Sequence, residues 1–272
     1  MNNLGQIAGW AENNVHDSTC TPPQVLQFEA VVYGPNPNQI KQLPPLAGDP
    51  DSAATAINDK GQVVGISGIC ASAVGGLSAA HALLWQNGQP MDIGNFGGVA
   101  WNTPTAINKH GDIVGFSDFA GDGQDSPNFH AFLWTREKGM IDLGTLPGDS
   151  LSEALGINEE GQIVGASIDA NGNFRAFLWQ NGQMLDLNSL VSPGSPFLVY
   201  ANDINSFGQI TGQAYDQSTG NYPAFFGFPT ADNNAANVSQ ADHRAGAKVA
   251  LPQGLRQQVL RRFGLTATRL AR

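Results

Sequence analysis

The hydrophobic positions along this chain fall into short runs broken by Gly, Asn and Asp, not into helical stripes. Residues 154–187 read ALGINEEGQIVGASIDANGNFRAFLWQNGQMLDL, with four apolar runs separated by turn formers. Runs of this length predict β-strands, and no 3.6-residue apolar period competes with them. The runs are labelled A (Ala154–Asn158), B (Gln162–Ser167), C (Arg175–Trp179) and D (Met184–Leu187). Between A and B, an Asn-x-x-Gly turn places Gly161 where a short hairpin needs positive φ. Between C and D, Asn181-Gly182 is a strong hairpin signal.

The same pattern returns along most of the chain. The Asn that ends run A recurs at Asn58, Asn108, Asn158 and Asn205, and a truncated copy opens the chain at Asn2. Successive copies lie 56, 50, 50 and 47 residues apart. A repeat of about 50 residues belongs to propellers or solenoids. Three tight hairpins followed by a longer crossover describe a propeller blade. The expected fold is therefore all-β, a β-propeller of about five four-stranded blades over residues 1–228. The blades span about 2–43, 53–94, 103–144, 153–188 and 200–228. The first lacks run A and the last lacks run D. Residues 229–249 are polar and aperiodic and read as a linker. Within 250–272, residues 252–263 predict a short basic amphipathic helix, with Leu255, Val259 and Phe263 as its apolar stripe.

Three phrases in fixed order carry a family resemblance: GINEEGQIVGAS, HAFLW at His130–Trp134 and MIDLGTLPG at Met140–Gly148. Residues 2 to about 228 resemble the HAF-type repeat family of extracellular bacterial proteins. That resemblance implies secretion, a β-propeller-like fold, and no established activity or cofactor. The histidine of the family phrase stands at His81 and His130, but Arg175 and Pro223 replace it in the last two blades. A residue lost from half the units does not serve as a repeated metal ligand.

Charge narrows the function classes. All 23 acidic residues and only six of 13 basic ones lie in residues 1–243, a net of −17, while residues 244–272 carry +7. An acidic body of this kind is unsuited to nucleic acid. No apolar run approaches a membrane span, and the basic tail is a candidate cell-surface contact. Met1 occupies the slot of Ile57, Ile107, Ile157 and Ile204, so an upstream segment bearing a strand and an export signal is expected. Cys20 and Cys70 fall in the B–C loops of adjacent blades, which suits a disulfide in an oxidising compartment.

Residues that recur in every blade serve the blade. Trp85, Trp134 and Trp179 read as core, and Asp92, Asp142 and Asp186 as hydrogen-bond acceptors at the outer strand. Function is sought where the pattern breaks. The B–C loops vary, spanning about 11–27, 68–80 and 118–129 before shortening to 168–174 and 215–222, which makes the B–C/D–A face the candidate binding surface. Trp101, in a D–A connection, is a candidate stacking residue. Asp118, Asp122 and Asp125 form a loose Ca²⁺-like loop, though their spacing is not that of an EF-hand. Asp203 is the acid closest to the centre of an inner strand, and one carboxylate alone does not make a glycosidase pair. Gly148-Asp149-Ser150-Leu151-Ser152 matches a serine-hydrolase string, but Gly48-Asp49 repeats it in the same slot and the downstream Asp-x-x-His is missing. The sequence thus points to a non-enzymatic extracellular repeat protein that binds a protein or glycan. A carbohydrate-active propeller enzyme and a structural cell-surface assembly protein are the alternatives.

Overall fold

Every tight hairpin closes on a residue that tolerates positive φ. The C–D turns use Asn87-Gly88 (φ 55° and 82°) and Asn181-Gly182 (φ 53° and 79°), the pairing a two-residue hairpin favours. The A–B turns close on Gly61, Gly111, Gly161 and Gly208, all with positive φ. The computed structural model describes residues 1–20, 22–36, 38–70, 80–121, 128–229 and 249–262. It divides into two compact units, Met1–Asp142 and Leu143–Arg272.

The first unit holds three antiparallel sheets. The opening sheet has three strands, β1 (Ile7–His16), β2 (Leu26–Tyr33) and β3 (Ile40–Leu43). The second runs β4 (Asp51–Ile57), β5 (Val63–Gly68), β6 (His81–Gln86) and β7 (Gln89–Asp92). The third runs β8 (Thr103–Ile107), β9 (Ile113–Asp118), β10 (Phe129–Thr135) and β11 (Gly139–Asp142). The second unit holds a four-stranded sheet, β12 (Leu151–Ile157), β13 (Ile163–Ile168), β14 (Phe174–Gln180) and β15 (Gln183–Asp186). Its last sheet has three strands, β16 (Phe197–Ile204), β17 (Ile210–Tyr215) and β18 (Ala224–Gly227), and helix α1 (Gln253–Arg262) follows. The chain is thus mostly β, and no described helix is long and apolar enough to cross a membrane.

Within each unit, neighbouring sheets bury apolar faces on one another. Ala30, Val32 and Leu43 of the first sheet meet Ala54, Val63, Leu83 and Trp85 of the second. Val64, Ala82 and Leu84 of the second meet Ile113, Phe132 and Trp134 of the third. In the second unit Val164, Ala176 and Leu178 meet Leu198, Ala201 and Ile204. Such burial stabilises by ~25 cal/mol per Å² but has no direction.

Direction comes from polar side chains. The Oδ1 of Asn58 accepts the N–H groups of Lys60 and Gln62, which folds the A–B turn. Its Nδ2 donates to Gln62 Oε1 and, at 2.9 Å, to the backbone carbonyl of Asn108 in the next sheet. Asn2 bonds the carbonyl of Asn58 in the same way (3.0 Å), and Asn158 that of Asn205 (3.1 Å). At the far end a serine does similar work. Ser67, Ser117 and Ser167, all fully buried, accept the backbone N–H of Leu46, Phe96 and Leu146, fastening each D–A connection to strand B.

A bulge shapes each inner strand. Pairing shifts register at Ala54/Ala56, Pro104/Ala106, Ala154/Gly156 and Ala201/Asp203. The bulge pushes the inner backbone onto strand B, where Gly65, Gly115, Gly165 and Gly212 stand. A Cβ on Gly165 would lie 1.9 Å from the carbonyl oxygen of Glu153, so only glycine fits.

The strands fall close to the expected bounds, with one clear difference. The first B–C loop is shorter than 11–27 because β1 continues to His16 and pairs there with Leu26 after an irregularity, which leaves 17–25 as the loop. Helix α1 matches the expected tail helix, but its buried residues are Val259 and Leu260, with Leu251 just before it. Phe263 lies outside the described residues. Asn173 Oδ1 accepts the N–H of Leu251, and Arg256 donates to the carbonyl of Asn171, so α1 is tied to the loop between β13 and β14.

Two substitutions test this frame by thermal or chemical denaturation. Gly165→Ala is expected to destabilise by about 1–3 kcal/mol through overpacking, whereas Gly254→Ala, with open space at its Cβ, is expected to be neutral or mildly stabilising. Asn158→Asp keeps the acceptor that folds its turn but loses both donated bonds, and is expected to lower stability by about 1–3 kcal/mol.

Candidate functional site

At the B–C end of the first two sheets, Cys20 and Cys70 form a disulfide, with Cα atoms 4.7 Å apart. Around it the loop is heavily bonded. Cys70 N–H donates to Thr19 Oγ1 (3.0 Å), and Thr19 N–H donates to Asp17 Oδ1 (2.6 Å). Asp51 Oδ1 accepts the N–H of Phe28 (2.8 Å), and Phe28, Ala53, Ile66 and Cys70 close an apolar cluster beneath.

Asp17 and Asp51 are both buried. Burial pushes Asp51 up to about 7, against the pull of the Phe28 amide; the neighbouring Asp17 carboxyl and its charge push the same way. Asp17 moves downward: burial opposes its charge, but the Thr19 amide and the Asp51 proton outweigh it. Asp51 is thus the member of the pair that keeps a proton toward neutrality, while Asp17 favours its charged form.

The candidate residues separate in space. Trp101 is only 1% exposed, with its ring centroid 5.8 Å from that of Phe129. This corrects the expectation of a stacking surface. The slot it occupies holds Asp51 and Leu151 in other sheets, and all three are buried, so the slot is interior wherever it occurs. Asp118 lies in the same corner. Its carboxylate accepts the Ala100 N–H (3.3 Å) and fills the space beside Gly98, where a Cβ would sit 2.1 Å from it. A fully buried carboxylate of this kind fastens the loop before Trp101 instead of facing a ligand. Asp122 and Asp125, and with them the Ca²⁺-like loop, lie outside the described residues. Among the described residues no three His, Cys, Asp or Glu side chains are placed to hold a metal. Asp203 is exposed on β16, its Oδ1 accepting the Ile204 N–H and lying against Gly156.

The residue that opens run C acts as a clasp. His81 Nδ1 meets Asp49 at 2.8 Å, and His130 Nδ1 meets Asp142 at 3.0 Å. Arg175 spans two acids, Asp149 at 2.7 Å and Asp186 at 3.0 Å, and also donates to the carbonyl of Pro147. Asp149 of the Gly-Asp-Ser string is therefore held in an ion pair. His, His and Arg do similar work, tying strand C to the outer strand of its own sheet or to the connection that leads into that sheet.

Glu153 on β12 is a site that the sequence reading missed. It is 0% exposed, and neither carboxyl oxygen has a hydrogen-bond partner among the described residues. Burial alone pushes it up to about 8. The available signal was positional, since Ala53 and Thr103 hold the equivalent slots. Comparison with protein-family models and with curated proteins gives no match for this chain.

The pH dependence follows from proton counting. Between about 4.5, the ordinary glutamate value, and about 8, the unfolded chain releases the Glu153 proton while the folded chain keeps it. Stability therefore falls as pH rises through that window, by up to ~1.4 kcal/mol per pH unit. Glu153→Gln is expected to gain on the native protein increasingly between pH 5 and pH 8, measured as the difference in urea midpoints.

Proposed function

We propose that this chain is an exported, non-catalytic recognition scaffold, a β-propeller-like protein of the HAF-type repeat family, which binds a protein or glycan through its B–C and D–A loops. One contrast carries the reading. The asparagine, serine and glycine contacts of the frame return sheet after sheet at spacings near 50 residues, while the B–C loops differ in length and content. A rigid frame with variable loops is the usual construction of a recognition surface. The disulfide between two such loops supports an oxidising compartment, hence export. Face-to-face burial between adjacent sheets within each unit supports the blade-like arrangement.

The test uses the full, oxidised chain on a glycan array and in pull-downs from cell-surface extracts. A saturable ligand is expected, bound at least about tenfold more weakly by the Cys20→Ser, Cys70→Ser double variant, with Gly254→Ala unaffected. Polysaccharide hydrolysis abolished in Asp203→Asn would instead make the protein a carbohydrate-active enzyme.

A further inference from the structure

The last sheet departs from the others in two places that touch. In sheets two to four, the first residue of strand B pairs with a tryptophan on strand C: Val63 with Trp85, Ile113 with Trp134, Ile163 with Trp179. In the opening sheet Ile7 pairs with Tyr33. In the last sheet the corresponding pair is Ile210 and Gly227, so the aromatic ring is absent. Among the described residues no outer strand follows β18 either. Elsewhere that strand sets a residue opposite the ring: Ile40 opposite Tyr33, Pro90 opposite Trp85, Met140 opposite Trp134 and Met184 opposite Trp179. Among the described residues nothing pairs with the outer edge of β18.

Where ring and cover are missing there is a cavity of about 490 Å³, lined by Leu178, Leu187, Leu190, Ile204, Ile210 and Phe225 among others. That is within the ~300–1,000 Å³ typical of ligand sites. Phe207, which also lines it, is 80% exposed. An open strand edge beside an apolar cavity is a template for another strand.

We propose that the edge of β18 accepts an extended segment of a partner protein, which adds antiparallel as a fourth strand and inserts a large apolar side chain, Met or aromatic, beside Gly227. The four other sheets of this chain supply the pattern, since each carries a four-residue antiparallel strand at that edge. Main-chain hydrogen bonds give such augmentation its affinity and side-chain pockets its selectivity. The pattern also says what the partner strand can omit. The acid of the internal outer strands meets His130 or Arg175, and Pro223 stands at that position before β18. The incoming strand therefore needs no carboxylate. The D–A connection before β16 supplies Leu187 and Leu190 to the cavity, but strand addition at this edge does not depend on the recognition reading proposed above.

The probe is a fluorescein-labelled peptide copying residues 181–188, read by anisotropy against the full chain. Saturable binding is expected, with the outward amides of β18 gaining protection from hydrogen exchange. Replacing the peptide's methionine by alanine is expected to weaken binding by about tenfold or more. The Cβ position of Gly227 is open, its only neighbour being the Ile210 carbonyl oxygen at 3.9 Å, and φ there is not positive. Gly227→Trp should therefore fill the cavity and raise the melting temperature. Because Trp179 and Met184 stand side by side in the fourth sheet, the strand should still add to this variant but no longer depend on the peptide's methionine. No anisotropy change up to millimolar protein overturns the proposal, as does binding to the native chain that is unchanged when the peptide's methionine is replaced by alanine. So does full protection of the β18 edge amides before peptide is added, because the edge is then already covered by this chain or a second copy.

Discussion

An asparagine side chain has an accepting end and a donating end, and this fold depends on using both at once. The oxygen folds the turn by taking two backbone N–H groups, two and four residues ahead. The nitrogen, fixed by that same turn, reaches a backbone carbonyl of the following sheet, as Asn158 reaches Asn205. Such a bond contributes only about 1 kcal/mol net, far less than the apolar faces beside it. Apolar faces slide, however, and a hydrogen bond at 3% exposure does not tolerate misalignment. Asn2, Asn58 and Asn158 therefore each convert a local turn into a registration mark for the next sheet. The buried serine on strand B does the same for the connection at the opposite end, so both ends of a sheet are pinned and the middle packs as it can.

The parts visible in the sequence were those whose cause is local. The hairpins followed from Asn-Gly pairs and the strands from short apolar runs, and the observed bounds differ by a few residues. The turn role of Asn58 was legible in the same way, but its bond to Asn108 was not, because the acceptor lies 50 residues away. Ser67, Ser117 and Ser167 recur at equal spacing and carried a signal that composition alone does not reveal. Trp101 misled for a physical reason. A tryptophan outside the repeated phrases looks unpartnered in one dimension, yet its slot is interior, as Leu151 shows. Asp51 and Glu153 stand at positions that are apolar or neutral elsewhere, and only the fold shows that burial leaves them protonated near neutrality.

The clasp at the start of strand C shows how far a slot can drift while its task stays fixed. His81 reaches the connection at Asp49, His130 reaches the outer strand at Asp142, and Arg175, longer and forked, takes an acid of each kind. In these three sheets the slot places a cation or hydrogen-bond donor opposite an acid, not always a histidine, and in the opening sheet it holds Glu29 instead. A metal site would impose the stricter condition of fixed ligand type and geometry, and the slot does not meet it.

The last sheet obeys the same logic in reverse. Where no described strand lies outside β18, there is no acid for the clasp among the described residues, and the slot is Pro223. Where nothing covers the ring position, a tryptophan would expose a large apolar face at the sheet edge, and the position is Gly227. Both changes follow from one strand missing among the described residues, so they are correlated rather than independent. The exposure of Phe226 has a separate cause: it holds the slot of Leu84, which packs on the following sheet, and it points away from the Gly227 face. The cavity is what neither change explains. Leu178, Leu187, Leu190 and Ile210 keep its walls apolar beside a position that carries no ring, which is the expected composition of an edge that is covered only part of the time.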